Sequence, residues 1–336
     1  MGFLPPDDPF LINTTIGNLP IQLRWYGIFI VGGAMLAAWI ASRRAERRGF
    51  DPEDIWNQLM IGMVISIACA RAYYVAFEWH RFADKPFLYI INPQNGGIAI
   101  HGALIGAIIS GLIYTRWRKL PFWQWVDICM PTVLVAQAIG RFGNFFNQEA
   151  YGRAIEGGFP PFGVIINRPE QRLPPFDDPA KYPLDTTLFH ATFLYEAVWN
   201  VIGFGLIMWL ERRLRGWRRV GDLGALYAIW YGLGRFWVES FRTDSLCTNG
   251  VGGSCDGSFR AAQIASLALV AIGAAGLIYN HMRQARPAAE VESEYAEQAR
   301  LAAEQAQAQQ PPVTAAATAA PAEDAATADQ SATPQG

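Results

Sequence analysis

The sequence predicts an all-α fold, namely a polytopic membrane protein with seven transmembrane helices, its N-terminus outside and its C-terminus in the cytoplasm. Apolar residues make up 51% of the 336-residue chain and come in blocks of about 20, each long enough to cross a hydrocarbon core of roughly 30 Å as a helix. Basic residues cluster at alternate ends of these blocks. Net charge says little, because 27 basic residues nearly balance 29 acidic ones.

Seven apolar blocks follow one another along the chain. They lie at about 21–42, 55–78, 96–115, 122–146, 190–210, 223–241 and 261–280. Over most of their length they lack the 3.6-residue polarity of an amphipathic core helix in a soluble protein. The segment before them has neither a basic n-region nor a small-residue cleavage pattern, so the first block is interpreted as an uncleaved span.

Basic residues orient the spans. Fourteen of the 27 follow the first, third, fifth and seventh blocks: Arg43, Arg44, Arg47 and Arg48; Arg116, Arg118 and Lys119; Arg212, Arg213, Arg215, Arg218 and Arg219; Arg283 and Arg286. By the positive-inside rule these ends face the cytoplasm.

The membrane domain is predicted over residues 1–285. Its longest connection, an outer loop at about 153–189, is rich in proline and charge, and loops longer than about 15 residues are usually functional or disordered. Residues 286–336 are rich in Ala, Gln, Pro, Glu and Thr, which predicts a disordered cytoplasmic tail. Cys247 and Cys255, in another outer loop, could form a disulfide on the oxidising side and fit no zinc spacing.

Ionisable side chains inside the apolar blocks are the candidate functional residues, because such groups are costly in a membrane and usually face an internal cavity. The stretch GRFGNFFNQEAYG, from Gly140 to Gly152, places Arg141, Asn144, Asn147 and Glu149 at the outer end of the fourth span.

The sixth span carries a polar stripe. Tyr231, Arg235, Glu239 and Arg242 follow spacings of 4, 4 and 3, which places them along one face of a helix. A purely structural ion pair between Arg235 and Glu239 is the alternative interpretation.

Other polar residues lie at a similar predicted depth. His101 is the one histidine of four inside a span, whereas Tyr26 could be an interfacial belt residue and Arg71 could extend to the outer head groups. Seven polar residues from six spans fall in the outer half of the predicted bilayer: Tyr26, Arg71, His101, Arg141, Glu196, Arg235 and Glu239. This shared depth predicts one polar cavity that opens toward the outer leaflet.

The residue types in this cavity indicate phosphate chemistry. The planar donor fork of arginine matches phosphate, so two intramembrane arginines suggest an anionic lipid head group. A histidine with a pKa near 6.5 can act as a general base at neutral pH. The chain has no G-x-S-x-G, H-E-x-x-H or Walker motif, and we expect no cofactor, no metal and no nucleic-acid partner.

At these residues the sequence closely resembles the prolipoprotein diacylglyceryl transferase family of bacterial inner membranes. GRFGNFFNQEAYG fits the family signature Gly-Arg-x-Gly/Ala-Asn-Phe-x-Asn-x-Glu-x-x-Gly at every defined position. HGALIG resembles the block His-Gly-Gly-Leu-Ile-Gly with Ala103 for the second glycine, and HATFLYE resembles His-Pro-Ser-x-Leu-Tyr-Glu without the proline. The stripe from Tyr231 to Arg242 fits a later block, and the resemblance covers about residues 20–280.

The resemblance implies a reaction at the inner membrane, with the active site toward the outer leaflet. The diacylglyceryl group of phosphatidylglycerol would move to the lipobox cysteine thiol of a preprolipoprotein, giving a thioether and glycerol 1-phosphate. His101 would assist deprotonation of the thiol, and Arg141 and Arg235 would hold the lipid phosphate. Glu149, Glu239 or water are alternative proton acceptors.

The resemblance also implies supporting roles around the two arginines. Asn144 and Glu149 would orient Arg141, Glu239 would support Arg235, and Tyr26 would donate to the head group. The expected substrate-binding set is completed by Gly152, Tyr231 and Arg242.

Two other classes of protein compete with this interpretation. A phospholipid transporter or flippase would use the same polar cavity, but predicts internal repeats or interrupted helices in matching halves, and the sequence shows no convincing repeat. A seven-helix receptor fits the span count but needs no arginine cluster for a lipid phosphate.

Overall fold

The computed structural model describes residues 1–17, 19–247, 250–251, 255, 259–283 and 285–308. This part of the chain contains nine α-helices: α1 (Trp25–Glu46), α2 (Glu53–Phe77), α3 (Phe87–Ile91), α4 (Ile100–Trp117), α5 (Phe122–Asn147), α6 (Thr192–Arg213), α7 (Asp222–Glu239), α8 (Ala261–Met282) and α9 (Ala288–Ala308). The fold is therefore mostly helical, and each of the seven predicted spans corresponds to a helix.

Five of these helices are long and apolar enough to cross a membrane, namely α1, α2, α5, α6 and α8. The other two helices that correspond to predicted spans, α4 and α7, have only 18 residues each. Helix α4 carries His101 and Arg116, and α7 carries Asp222, Arg235 and Glu239, so their uninterrupted apolar stretches are short. The count of seven spans and the orientation of the termini stay predictions.

Short strands, which the all-α prediction did not include, lie at one end of the helices. Strands β2 (Phe10–Ile16) and β3 (Leu19–Arg24) form an antiparallel hairpin, so α1 begins at Trp25 and not near residue 21. Strand β1 (Gly2–Phe3) pairs with β4 (Gly163–Ile165), which also pairs with β5 (Leu188–Phe189). The loop at 153–189 is thus tied to the start of the chain.

Another small hairpin, of β6 (Leu246–Cys247) and β7 (Gly250–Val251), follows α7. Cys247 and Cys255 form a disulfide, as the sequence allowed. Cys69 and Cys129 are not part of it and have free thiols.

Helix α5 is the centre of the helical packing. It contacts α1, α6 and α7, while α7 also packs on α8 and α2 packs on α4. Helix α4 presents a face of small residues to α2, and a Cβ on Gly102 would lie 2.4 Å from the carbonyl oxygen of Cys69. A Cβ on Gly106 would lie 2.7 Å from Ser66 Cα, so these glycines allow close approach of α2 and α4.

A reciprocal tryptophan pair joins α6 to α7. The rings of Trp199 and Trp230 stack with centroids 4.4 Å apart, and each indole N–H donates to the backbone carbonyl of the other residue at 3.0 Å. Gly203 and Gly234 make room for the rings, because a Cβ on either would lie within 2.2 Å of an indole nitrogen. This contact fixes α6 relative to α7.

The chain after residue 286 differs from the predicted disordered tail of 286–336. Helix α9 packs through Ala288, Val291 and Tyr295, and the Tyr295 ring lies 4.6 Å from that of Phe50. These positions recur at helical spacing, which gives α9 one apolar face despite its polar composition. Residues 309–336 lie outside the described part of the chain.

Candidate active site

The candidate site is built around Glu196, in the second turn of α6. Its side chain is only 6% exposed and lies between two arginines from different helices. Oε2 is 2.5 Å from Nη2 of Arg141 on α5, and Oε1 is 2.9 Å from Nη1 of Arg235 on α7. The two arginines that the sequence singled out therefore converge on one carboxylate.

Further charges extend this network along α7. Arg235 Nη2 lies 2.5 Å from Oε2 of Glu239, so the i, i+4 pair exists alongside the contact between helices. Arg242 lies three residues beyond the end of α7 and approaches Glu196 and Glu239 at 4.0 and 3.9 Å. It also pairs with Asp244 at 2.5 Å. Burial favours a higher pKa for Asp244, but its hydrogen bond to Arg242 and the charge of that arginine lower the pKa overall.

A chain of hydrogen bonds leads from Arg141 to Glu149. Arg141 Nη1 donates to Asn144 Oδ1 at 3.4 Å, and Asn144 Nδ2 donates to Glu149 Oε1 at 2.9 Å. Asn147 Nδ2 donates to the same carboxylate oxygen at 3.3 Å. Glu149 also lines a cavity of about 330 Å³ together with Arg24 and Asn147. The polar side chains of the GRFGNFFNQEAYG signature are thus hydrogen-bonded to one another.

The turn after α5 has an unusual backbone. Gln148 and Ala150 have φ of 57° and 56°, a conformation that costs non-glycine residues roughly 1–2 kcal/mol. The buried Gln148 side chain holds the turn: Oε1 accepts from the backbone N–H groups of Asn167 and Arg168, and Nε2 donates to Asn167 Oδ1 at 2.6 Å. The loop at 153–189 therefore fixes the turn that presents Glu149.

Gly152 joins three segments at this end of the helices. It forms a β-bridge with Arg242, and its N–H donates to the carbonyl of His190 at 2.9 Å. A Cβ here would lie 2.6 Å from His190 Cβ and 3.1 Å from the carbonyl oxygen of Phe241. Only glycine fits without a shift of the backbone, so Gly152 supports the position of Arg242.

The two tyrosines of the predicted set lie beside the network. The Tyr26 ring packs on Gly143, where a Cβ would lie 2.6 Å from its Cδ2 atom. Tyr231 stacks on Tyr227 with ring centroids 5.9 Å apart. Within the described residues, neither hydroxyl forms a hydrogen bond with Arg141 or Arg235.

The structure does not bring His101 into this network. His101 is exposed in the first turn of α4, and its ring stacks on Tyr73 with centroids 5.9 Å apart. Among the residues that the structure describes, it has no hydrogen bond or ion pair.

The prediction that Arg71 faces the same polar cavity as Arg141 and Arg235 is wrong. The buried Arg71 guanidinium donates to the carbonyls of Tyr89, Ile90 and Gly97 at 3.1, 2.7 and 2.9 Å, and also to that of Gly96. Arg71 therefore holds the connection between α2 and α4 and takes no part in the Glu196 network.

From the sequence, Glu196 was predicted to share the depth of the site but was not among the predicted site residues, and nothing pointed to Gln148 or Asp244. The signal for Glu196 was its position in the HATFLYE block; the partners of the other two lie in loops and follow from no local pattern.

Two guanidinium groups from separate helices form a site at which an anion can accept hydrogen bonds from both arginines. Within the described ranges, no group of three or more His, Cys, Asp or Glu residues could hold a metal ion.

Comparison with known proteins gives a family match along most of the chain. The family model described as prolipoprotein diacylglyceryl transferase matches residues 13–279. A phosphatidylglycerol–prolipoprotein diacylglyceryl transferase of Chloroflexus aggregans is 54% identical over 290 residues, which covers 84% of this chain and 93% of the relative. The proteins of the same name from Geobacillus kaustophilus and Prochlorococcus marinus NATL1A are 42% and 40% identical, with 76% and 77% of this chain and 87% of each relative covered.

Proposed function

We propose, because the chain belongs to the prolipoprotein diacylglyceryl transferase family, that it transfers the diacylglyceryl group of phosphatidylglycerol to the lipobox cysteine of a preprolipoprotein. The products are a thioether-linked lipoprotein precursor and glycerol 1-phosphate, in the first step of lipoprotein maturation. The relatives are named as transferases, so the transporter or flippase alternative has no support from them.

The convergence of Arg141 and Arg235 is the observation that carries the proposal. A guanidinium has five N–H donors in a planar fork, and the described pairs of each arginine use only the two Nη atoms. Further donors are left for the oxygens of a lipid phosphate. Glu149, Glu196 and Glu239 hold the arginines in place, directly or through Asn144, so little reorganisation is needed when the phosphate binds.

The reaction breaks the bond between the glyceryl carbon and the phosphate oxygen. The cysteine sulfur forms a new bond to that carbon, and the thiol proton passes to a base. The phosphate changes from a singly charged diester to a more highly charged monoester as it leaves. Arg141 and Arg235 would stabilise this developing charge, which is the interaction that lowers the barrier.

A base is needed because a thiol with a pKa of about 8.5 is only a few per cent ionised at neutral pH. We retain His101 as the proposed base and Glu149 as the alternative acceptor. The contacts of Glu149 support that alternative, since within the described part of the chain it accepts only amide hydrogen bonds, and it lines a cavity. Glu196 and Glu239 pair directly with arginines and are less available to take a proton.

We further propose seven spans in a bacterial inner membrane, with the Arg141 end toward the outer leaflet. The arginine clusters at the other ends of α1, α4 and α6 support this orientation. The disulfide between Cys247 and Cys255 supports it as well, because it lies beyond the Arg242 end of α7 and disulfides persist in oxidising compartments. Residues 1–285 would form the transferase domain.

The proposal is tested by incubating the purified chain with phosphatidylglycerol and a synthetic lipobox peptide. We expect mass spectrometry to show a peptide that carries one diacylglyceryl group, together with released glycerol 1-phosphate. A matched peptide with serine in place of the cysteine should stay unmodified. Absence of the thioether with folded protein would contradict the proposal, and lipid movement without peptide modification would indicate a transporter.

A further inference from the structure

A second charged cavity lies at the opposite end of α1 and α6. It has a volume of about 600 Å³ and is lined by residues of α1, α6 and α9 and of the segments that follow α1 and α6, among them seven arginines and two glutamates. Glu211 on its wall follows Glu196 by 15 residues on α6, which is about 22 Å along the helix axis at 1.5 Å per residue. This cavity is therefore separate from the proposed active site.

Two buried arginines of this cavity each have one nitrogen without a partner. Arg48 and Arg218 are 6% and 4% exposed, and both pair with Glu292, at 3.2 and 2.6 Å. Arg48 also pairs with Glu211, and Arg218 lies 3.7 Å from Asp127. Arg48 Nη1 and Arg218 Nε are buried and have no hydrogen-bond partner among the described atoms. Buried donors are rarely left unpaired, and charged ones least of all, so these nitrogens indicate an anionic ligand.

The rim of the cavity adds more positive charge. Arg47, Arg212 and Arg215 line it, are exposed, and form no ion pair with any residue in the described part of the chain. Like charges at such short spacing repel one another, and a bound anion would relieve that repulsion. The cavity thus combines buried and exposed guanidinium groups around one space.

The remaining wall is apolar. Trp39, Ile40 and Phe204 line the cavity from the membrane-spanning parts of α1 and α6, and the Trp39 side chain is half exposed. A free phosphate ion makes no favourable contact with apolar side chains, whereas a phospholipid can place its acyl chains against them and its phosphate among the arginines. Basic pockets between transmembrane helices are known to bind anionic head groups in this way.

We propose that this cavity binds the phosphate-bearing head group of an anionic phospholipid. The lipid would come from the leaflet at the end of α1 that carries Arg48, which is called the Arg48 end below. Glu292 on α9 occupies part of the cavity as a competing carboxylate, since it pairs with both buried arginines. The site takes a lipid in a different leaflet from the proposed substrate and does not depend on the transferase reaction.

Binding of phosphatidic acid to the full chain in detergent micelles, followed by native mass spectrometry, tests the site. Replacing Arg212 and Arg215 by Gln should lower affinity about fivefold for each arginine, and phosphatidylcholine should bind weakly to all variants. The control is Arg213→Gln, on the same exposed turn but outside the cavity. An equal loss in the control, or no loss in the double variant, would overturn the proposal.

Two further arms test Glu292 and the nature of the ligand. Glu292→Gln should raise affinity severalfold, whereas Glu297→Gln, on the outer side of α9, should leave it unchanged. Trp39→Ala should weaken lipid binding. If inorganic phosphate at millimolar concentration displaces the lipid and Trp39→Ala has no effect, the site takes a soluble phosphate and the lipid proposal fails. If Glu292→Gln does not fold, the variants at Arg212 and Arg215 still test whether the cavity binds the lipid.

Discussion

At the scale of single residues, Glu196 determines how close Arg141 and Arg235 come to each other. Its two oxygens face guanidinium groups from different helices, and Arg242 approaches it as a third. Buried charges are tolerated only when they are paired, so the carboxylate allows three arginines to share one space. The phosphate site exists because this negative charge is built into its wall.

Glu196→Gln keeps the shape of the side chain and removes its charge. We expect the free energy of unfolding to fall by about 2 kcal/mol, below the 3–5 kcal/mol for a fully buried pair, because the arginines are partly exposed. Thermal unfolding in detergent measures this change. Glu290→Gln, which removes an exposed pair with Arg286, is the control and should have no effect. Equal unfolding temperatures for both variants would contradict the role of Glu196.

His101→Gln tests the proposed base. If His101 takes the thiol proton, transfer to the lipobox peptide should fall by about 10²- to 10⁴-fold, the usual contribution of a general base. A rate close to that of the unchanged protein removes His101 from this role. In that case Glu149→Gln should show the large loss.

The sequence predicted Arg141, Asn144 and Glu149 as one unit and predicted that Arg141 and Arg235 meet, and the structure brings these side chains together. The prediction that Arg71 shares this cavity is wrong, because the position of a residue along a helix gives its depth in the membrane but not its direction around the helix axis. Arg71 has a suitable depth and points to the connection after α2. The direction of a side chain becomes known only when the neighbouring helices are placed.

At the scale of elements, the tryptophan pair between α6 and α7 fixes the helices that carry Glu196 and Arg235. The same contact requires two glycines, because each indole ring lies on the backbone of the facing helix. Small residues of this kind allow close helix approach in membranes. The distance between Glu196 and Arg235 is therefore sensitive to substitutions that lie far from either residue.

Gly203→Ala tests this dependence. The new Cβ would lie 2.0 Å from Trp230 Nε1, so α6 and α7 must separate. We expect a loss of about 1–3 kcal/mol in stability, as for other overpacked sites, and a clear reduction in transfer rate. Gly205→Ala on the same helix is the matched control, since its Cβ would have no neighbour within 4 Å. Equal stability and equal transfer rates of the two alanine variants would contradict this dependence.

The sequence predicted the seven long helices but not the strands or α9. Apolar blocks are a local signal, whereas β1 pairs with β4 across some 160 residues of chain, and no local pattern reports such a contact. Helix α9 was missed because average composition hid the apolar positions Ala288, Val291 and Tyr295. The helical period is present in that segment, but its few apolar positions are outnumbered by Ala, Glu and Gln.

At the scale of the whole molecule, the charge clusters at the two ends of the helices differ in their balance of charge. Both ends pair arginines with carboxylates, but the end that carries Arg48 has the surplus of arginine. A surplus of arginine identifies the cytoplasmic end. The proposed orientation thus follows from the same charges that form the second cavity.

Cysteine labelling tests this orientation. With Cys69 and Cys129 replaced, Glu156→Cys in the loop at 153–189 should react with an impermeant maleimide in spheroplasts, whereas Gly216→Cys, between α6 and α7, should react only after permeabilisation. Both positions are exposed in the structure, so access to the reagent depends on the membrane alone. The reverse pattern would invert the topology and place the proposed active site in the cytoplasm.

The central claim is that the guanidinium forks of Arg141 and Arg235 hold the lipid phosphate. Lysine keeps the positive charge and loses the fork, so the rate of diacylglyceryl transfer from phosphatidylglycerol to a lipobox peptide by Arg141→Lys and Arg235→Lys tests it most directly. We predict that each variant folds and loses at least about 100-fold in kcat/KM. Undiminished transfer by both lysine variants would contradict the account.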